Sequence, residues 1–249
     1  MYKFLVSNDD GINSEGLRAL VKELDKFGTV YAVAPAEEQS GKSMALTYAV
    51  PITVEETELE GAERAFVVGG TPVDCVKWAL DYYRGKMEFN FVISGINLGV
   101  NSGPIHFYSG TVAAAREGSI QGVHSIALSL DGYHSKQFEY ICSMIPDLLE
   151  MSMKIDSHTL LNVNAPDLHY SEVKGVRICK GARPDYGECY HFAPNEDGTY
   201  QIAVTYNPID ETLDDDVTAL IMGYATITPI SANICDMEVL EFLNNEYDY

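Results

Sequence analysis

Two carboxylates stand side by side where the first apolar run of the chain ends: Lys3 to Ser7 is followed at once by Asn8-Asp9-Asp10-Gly11. Like charges a few ångströms apart repel each other and raise one pKa unless something positive is held between them. A divalent cation removes that cost. Carboxylate, hydroxyl and amide oxygens are hard ligands that suit Mg²⁺, Mn²⁺ or Ca²⁺, and the six histidines are too dispersed to signal zinc. Asn, Asp and Gly are also the ordinary residues of turns, so the tetrapeptide by itself fits a plain turn equally well.

Two other polar loops carry chemistry of the same kind. Ser40-Gly41-Lys42-Ser43 is reminiscent of a phosphate loop but lacks the Gly-x-x-x-x-Gly-Lys-Ser/Thr spacing, and a solvated loop explains it as well. Ser109-Gly110-Thr111 opens an Ala-rich helical stretch, where free backbone N–H groups and the helix dipole favour an anion; a simple N-cap is the alternative. His106 precedes it and could donate a proton, although a single loop histidine is commonly just exposed.

The elements that must position these loops alternate in type. Apolar strand runs fall at Lys3 to Ser7, Thr29 to Ala34, Asn90 to Ser94, Ser125 to Leu130 and Thr159 to Val163. Helical spacing links Leu17, Leu20, Val21 and Leu24, then Val73, Val76, Leu80 and Tyr83 behind Thr71-Pro72, then Val112 to Glu117, then Phe138, Ile141, Ile145 and Leu148 as one long helix. Val50 to Val54 and Ala65 to Val68 are expected to pair as a hairpin, and Gly95 to Gly110 reads as a Gly-rich loop. Strands alternating with helices predict a Rossmann-like, three-layer, doubly wound and mostly parallel sheet. Ligands of such sheets bind beyond the C-terminal strand ends, where the three polar loops lie. Past Pro166 the pattern becomes β-rich at Val176 to Cys179, Tyr200 to Tyr206 and Ala225 to Thr228, with a terminal helix near Met237 to Leu243. The expected organisation is one α/β domain, 1–166 forming the core and 167–249 a β-rich C-terminal lobe.

Composition narrows the function classes. Lys plus Arg number 16 against 37 Asp plus Glu, a formal charge of -21, which repels a polyanion and argues against nucleic acid as a partner. A small anionic substrate needs a local reversal of sign, which a bound cation supplies. No run approaches a membrane span, and the N-terminal apolar run is too short for a signal-peptide core. Five scattered cysteines without a Cys-x-x-Cys pair signal neither a disulfide framework nor a thiolate metal site, so a cytoplasmic location is expected. A dinucleotide-binding oxidoreductase would share the sheet, but its Gly-x-Gly-x-x-Gly turn is missing after the first strand; a nucleotide-binding module without turnover is the other alternative.

Taken in order, Ser7-Asn-Asp-Asp-Gly11, Val33-Ala-Pro35 with Ser40-Gly41, Gly70-Thr-Pro-Val-Asp-Cys75, Ser94-Gly-Ile-Asn97 and Tyr108-Ser-Gly-Thr-Val112 resemble the SurE family of survival proteins. The similarity continues through Leu161-Asn-Val-Asn-Ala-Pro166, Gly223-Tyr224 and Thr228-Pro229, nearly the whole chain. It implies a metal-dependent phosphomonoesterase acting on nucleoside 5′- and 3′-monophosphates, and on polyphosphate, with Mg²⁺ or Mn²⁺ as cofactor. Asp9, Asp10, Ser40 and Asn97 are then the expected metal ligands, with Asp9 and Asp10 catalytic. Asn101, Ser109, Gly110 and Thr111 line the expected phosphate pocket. Homodimers or homotetramers with exchanged C-terminal segments are also implied. Gln39, His106 and Arg116 depart from the family pattern and leave substrate preference open. Attack by activated water and attack by an Asp carboxylate both remain compatible with these residues.

Overall fold

The computed structural model describes residues 1–132, 134–183, 188–206, 212, 214–233 and 235–247. In chain order the elements are β1 (Tyr2–Ser7), α1 (Glu15–Leu24), β2 (Gly28–Pro35), β3 (Val54–Thr57), β4 (Arg64–Val68), α2 (Pro72–Tyr83), β5 (Phe91–Leu98), α3 (Gly110–Ile120) and β6 (His124–Leu130). They continue as α4 (Glu139–Ser143), α5 (Ile145–Met153), β7 (Thr159–Ala165), β8 (Val176–Ile178), β9 (Glu188–Pro194), β10 (Tyr200–Tyr206), α6 (Asp216–Ile221), β11 (Ala225–Ser231) and α7 (Met237–Glu246). A nine-stranded sheet runs β3-β4-β2-β1-β5-β6-β7-β11-β8, and β9 with β10 forms a separate hairpin. The strands from β4 across to β7 pair in parallel, while β3 and β11 are antiparallel to their inner neighbours β4 and β7.

The side-chain alternation of a strand explains the three layers. Phe4 and Val6 of β1 enter a core shared with Leu17, Leu20, Val21 and Leu24 of α1 and with Ile141, Ile145 and Leu148 of α4 and α5. Leu5, between them, points to the other face and packs with Val33, Cys75, Val76, Ala79 and Ala114, under α2 and α3. Helices on both faces of a mostly parallel sheet make the three-layer, doubly wound fold the alternation predicts. Thr71 caps α2 reciprocally with Asp74 and Pro72 sits at its first turn, as expected from sequence.

Four local features differ from the sequence-based expectation. The helix expected from Phe138 to Leu148 breaks at Met144, where Pro146 can neither donate its N–H nor clear the carbonyl four residues back. The strand expected at Val50 to Val54 starts only at Val54, after Pro51 and after Ala49, whose φ is 58°. The Gly95 to Gly110 loop is partly ordered: β5 continues to Leu98, and a 3₁₀ turn covers Gly103–Phe107. Finally, β8 and β11 extend the main sheet, so residues beyond Pro166 share its core through Ala225 and Ile227. The acidic stretch Asp210 to Asp216 lies partly outside the described residues; its described end forms the start of α6, capped by Asp215 accepting from the Thr218 N–H.

Candidate active site

The strand order reverses between β1, whose chain continues to β2 on one side, and β5 on the other. At such a switch point the loops after the two strands part and leave a crevice. Ser7 and Ser94 are register partners, so the Asp9-Asp10 turn and Asn97 emerge next to each other. The β1 turn is tightly tied down. Asn8 donates from Nδ2 to the Gly11 carbonyl at 3.0 Å and to Ser14 Oγ at 2.7 Å, and Ser14 is the N-cap of α1. The Gln39 N–H donates to the Asp9 carbonyl at 2.7 Å, which brings the loop after β2 against the same turn.

Asp9 is 4% exposed, and its carboxylate rests on the first turn of α3. The Thr111 hydroxyl donates to its Oδ1. At Gly110 an added Cβ would stand 2.8 Å from Asp9 Cβ and 2.9 Å from Oδ2, so only glycine admits this approach. Burial pushes the Asp9 carboxyl above the usual range, against the pull of the Thr111 hydroxyl and nearby backbone N–H groups. Asp10 is less enclosed, and burial, then Asp9, then Glu38 push it up to about 7. Glu38 also raises Asp9, so three carboxyl groups share this corner, and none of them takes part in an ion pair among the described residues.

The remaining expected ligands face the same space. Asp9, Ser40, Asn97, Asn101 and Ser109 line a cleft of about 500 Å³, walled on its apolar side by Leu98, Val100, Ile105, Tyr108 and Ile202. Asn97 donates from Nδ2 to the Gly99 carbonyl at 2.7 Å, which leaves Oδ1 as its free donor atom toward a cation. Ser40 donates to Glu38 at 2.7 Å. Ser109 caps α3 by accepting from the Val112 N–H at 3.1 Å, its carbonyl accepts from the Ala113 N–H at 3.1 Å, and the Thr111 N–H pairs with Asp9, so the helix end that the cleft meets is at Gly110. No group of three His, Cys, Asp or Glu suited to a metal exists among the described residues; the polar side chains lining the cleft are those of Asp, Asn, Ser and Tyr.

Gln39, His106 and Arg116 are absent from the lining of the cleft; Gln39 and His106 adjoin the lining residues Ser40 and Ile105 in the chain, and Arg116 lies near His106. Gln39 borders a smaller adjoining groove with Glu37, Thr47 and Thr71. His106 Nδ1 lies 2.6 Å from the Gly103 carbonyl, which can only accept, so Nδ1 carries the proton; burial lowers its pKa. Sequence reasoning assigned no role to Glu38, whose charge adds to the Asp9-Asp10 pair, or to Asn162 and Asn164. The two asparagines did leave a signal, since a buried strand with amides at period two puts both on one face.

Comparison with known proteins bears on the family and the fold. The family model described as survival protein SurE matches residues 4–188. The chain is 38% identical over 235 residues to a protein of Actinobacillus succinogenes named 5′-nucleotidase SurE, covering 92% of each. It is 37% identical over 251 residues to one of the same name from Haemophilus influenzae, covering 99% of this chain and 98% of the relative. The crystal structure of the SurE protein from Aquifex aeolicus superposes with a TM-score of 0.83 at 32% identity, over 99% of this chain and 100% of that one. The two sequence relatives carry a nucleotidase's name, and they lend no support to the oxidoreductase or the non-catalytic module.

Proposed function

The chain belongs to the SurE survival-protein family, and on that premise we propose that it hydrolyses nucleoside 5′-monophosphates to nucleoside and phosphate. The observation that carries this is the placement of Asp9, a carboxylate raised by burial, against the N-terminus of α3 on the wall of a cleft of nucleotide size, with Asp10, raised by burial and then by Asp9, beside it in the chain.

The residues fit a divalent cation. Three carboxyl groups without an ion pair among the described residues are costly to ionise together; Asp9, Ser40 and Asn97 line the cleft and Asp10 follows Asp9 in the chain, a set of hard oxygens that suits Mg²⁺ or Mn²⁺. A cation so held would supply Lewis-acid polarisation of the phosphoryl group. The protein's own part is positioning. Thr111 fixes the Asp9 carboxylate through its hydroxyl and its backbone N–H, the helix end at Gly110 favours a phosphoryl oxygen, and the apolar residues Leu98, Val100, Ile105 and Tyr108 limit water. Attack by water leaves no adduct; attack by a carboxylate leaves an aspartyl phosphate that acid quenching and mass spectrometry detect.

Hydrolysis of 3′-monophosphates and polyphosphate, and a tuning role for Gln39 and His106, complete the proposal. A panel of 5′- and 3′-nucleotides, polyphosphate, sugar phosphates and an aryl phosphate tests it: phosphate release is expected to be fastest from a nucleotide. Sugar phosphates cleaved in preference to every nucleotide would overturn it. The proposed homo-oligomer rests on α7, whose Met237, Val239, Phe242 and Leu243 are all exposed, and on exposed Phe192, Tyr200 and Ile202 of the hairpin. Among the described residues no helix is long and apolar enough to cross a membrane, and Cys75, Cys142, Cys179 and Cys235 are free thiols, which suits the proposed cytoplasmic location.

A further inference from the structure

A row of polar side chains crosses the sheet, starting at Asn97 in the cleft lining and continuing through buried residues. Asn97 on β5 is the register partner of Ser129 on β6, Ser129 of Asn164 on β7, and Asn164 of Thr226 on β11. Polar residues in register at the buried centre of a sheet cost stability unless they have work to do. Asn162 and Asn164 are 1% and 0% exposed, and each directs one end of its amide at the same residue. Asn164 Oδ1 accepts from the Asn101 N–H at 2.7 Å, and Asn162 Nδ2 donates to the Asn101 carbonyl at 2.7 Å.

The polarity of the Asn101 backbone fixes both amide orientations: an N–H demands the oxygen of Asn164, and a carbonyl demands the nitrogen of Asn162. The other ends, Asn162 Oδ1 and Asn164 Nδ2, are buried without a partner among the described residues. Each such orphan costs about 1–3 kcal/mol. A pair kept only for stability would more cheaply be apolar. What the pair does is grip residue 101 through both backbone polar groups, as a neighbouring strand would, at a point where β5 has already ended. Asn101 is thereby held with its side chain on the cleft wall and its Nδ2 donating to Ser129 Oγ at 2.8 Å.

We propose that Asn162 and Asn164 are positioning residues that act through Asn101, fixing its carboxamide where the phosphate ester binds. The proposal rests on the phosphomonoesterase function proposed above. The two amides have opposite duties, so substitution by Asp separates them: Asp supplies an acceptor oxygen at either position but, at 162, cannot donate amide N–H to a carbonyl.

The test measures kcat and KM of the full chain, supplied with its divalent cation, on an aryl phosphate and on a nucleoside 5′-monophosphate. Asn164→Leu and Asn162→Asp are expected to lower kcat/KM tenfold or more, and Asn164→Asp to recover most of what Asn164→Leu loses. In an Asn101→Ala background Asn162→Asp should cost less than twofold further, because its route to substrate is already cut. Equal losses in the wild-type and Asn101→Ala backgrounds, or Asn164→Asp as impaired as Asn164→Leu, would overturn the proposal. Should an Asp variant fail to fold, as a melting curve shows, Asn162→Ala and Asn164→Ala run through the same cycle decide it. A wild-type chain that cleaves the aryl phosphate and no nucleotide would instead refute the substrate class and leave the cycle readable.

Discussion

Replacing Gly110 by Ala puts a methyl group where the Asp9 carboxylate now lies. The added Cβ would stand 2.8 Å from Asp9 Cβ, 2.9 Å from Oδ2 and 3.2 Å from Cγ, whereas carbon atoms in packed interiors meet at about 3.5–4.0 Å. Asp9 or the start of α3 must therefore retreat by roughly 1 Å, which parts the Asp9 carboxylate from the Thr111 hydroxyl. A misplacement of about 1 Å at a reacting centre costs on the order of a hundredfold. Stability responds less: overpacking costs about 1–3 kcal/mol, and replacing a helical glycine by alanine returns about 0.5–1 kcal/mol. At about 2–4 °C per kcal/mol for a chain of this size, Tm should fall by no more than roughly 10 °C. Kinetics on a nucleoside 5′-monophosphate, with a thermal melt of the same preparation, read both quantities. Gly118→Ala is the control, since its Cβ would meet Val92 Cβ at 2.6 Å deep beneath the same helix and should destabilise the fold while the folded fraction keeps its turnover. A Gly110→Ala enzyme with wild-type kcat/KM would refute the claim that contact between Asp9 and the first turn of α3 sets the activity.

Further outcomes follow from the same contacts. Asp10 is raised from 3.8 to about 7, with Asp9 displaced in the same direction, so between about pH 4 and pH 7 the folded, metal-free protein binds more protons than the unfolded chain. Its stability should therefore fall as pH rises through that window; the full shift would amount to about 4 kcal/mol, and solvent access to Asp10 reduces this to on the order of 1–2 kcal/mol. Denaturation with chelator present checks this, and Asp10→Asn should flatten the slope. Asp74 accepts from the Thr47 N–H and hydroxyl and from the Thr71 N–H at 2.9, 2.6 and 2.8 Å. Asp74→Ala should lower stability by about 2–4 kcal/mol in urea titration and open the loop before β3 to limited proteolysis. A thiol titration of denatured, unreduced protein should count five, where a lower count would contradict a reducing compartment; the side chain of Cys189 lies outside the described residues.

The acidic turn and the alternation of elements were legible because each is local. Asp9 and Asp10 are adjacent in sequence, and an apolar period of two or of 3.6 residues needs no partner to be recognised. What the turn touches was not legible. Thr111 reads as a helix start and Gly110 as a cap, yet their role is to receive Asp9 from about a hundred residues away. The clamp on Asn101 joins β7 to the loop beyond β5 across more than sixty positions, so amides at period two show that its two asparagines share a face but not what they grip. Pro146 was visible, and the helical period on both sides of it masked the break at Met144. Three of the four strands after Pro166 were found and β9 was not, while the docking of β11 and β8 beside β7 depends on sheet pairing that no local pattern encodes.

The most direct measurement is phosphate release from a nucleoside 5′-monophosphate by wild-type protein and by Asp9→Asn, each with added Mg²⁺ or Mn²⁺ and each with chelator, alongside melting curves of the four samples. Wild type should release phosphate with the cation and lose that activity with chelator, and its Tm should rise on adding the cation. Asp9→Asn keeps the shape and removes the charge, so its kcat should fall on the order of a thousandfold, its metal-free Tm should hold or rise, and its cation-dependent shift should shrink. An Asp9→Asn protein that hydrolyses the nucleotide at the wild-type rate, indifferent to chelator, would contradict a cation held by Asp9 and Asp10.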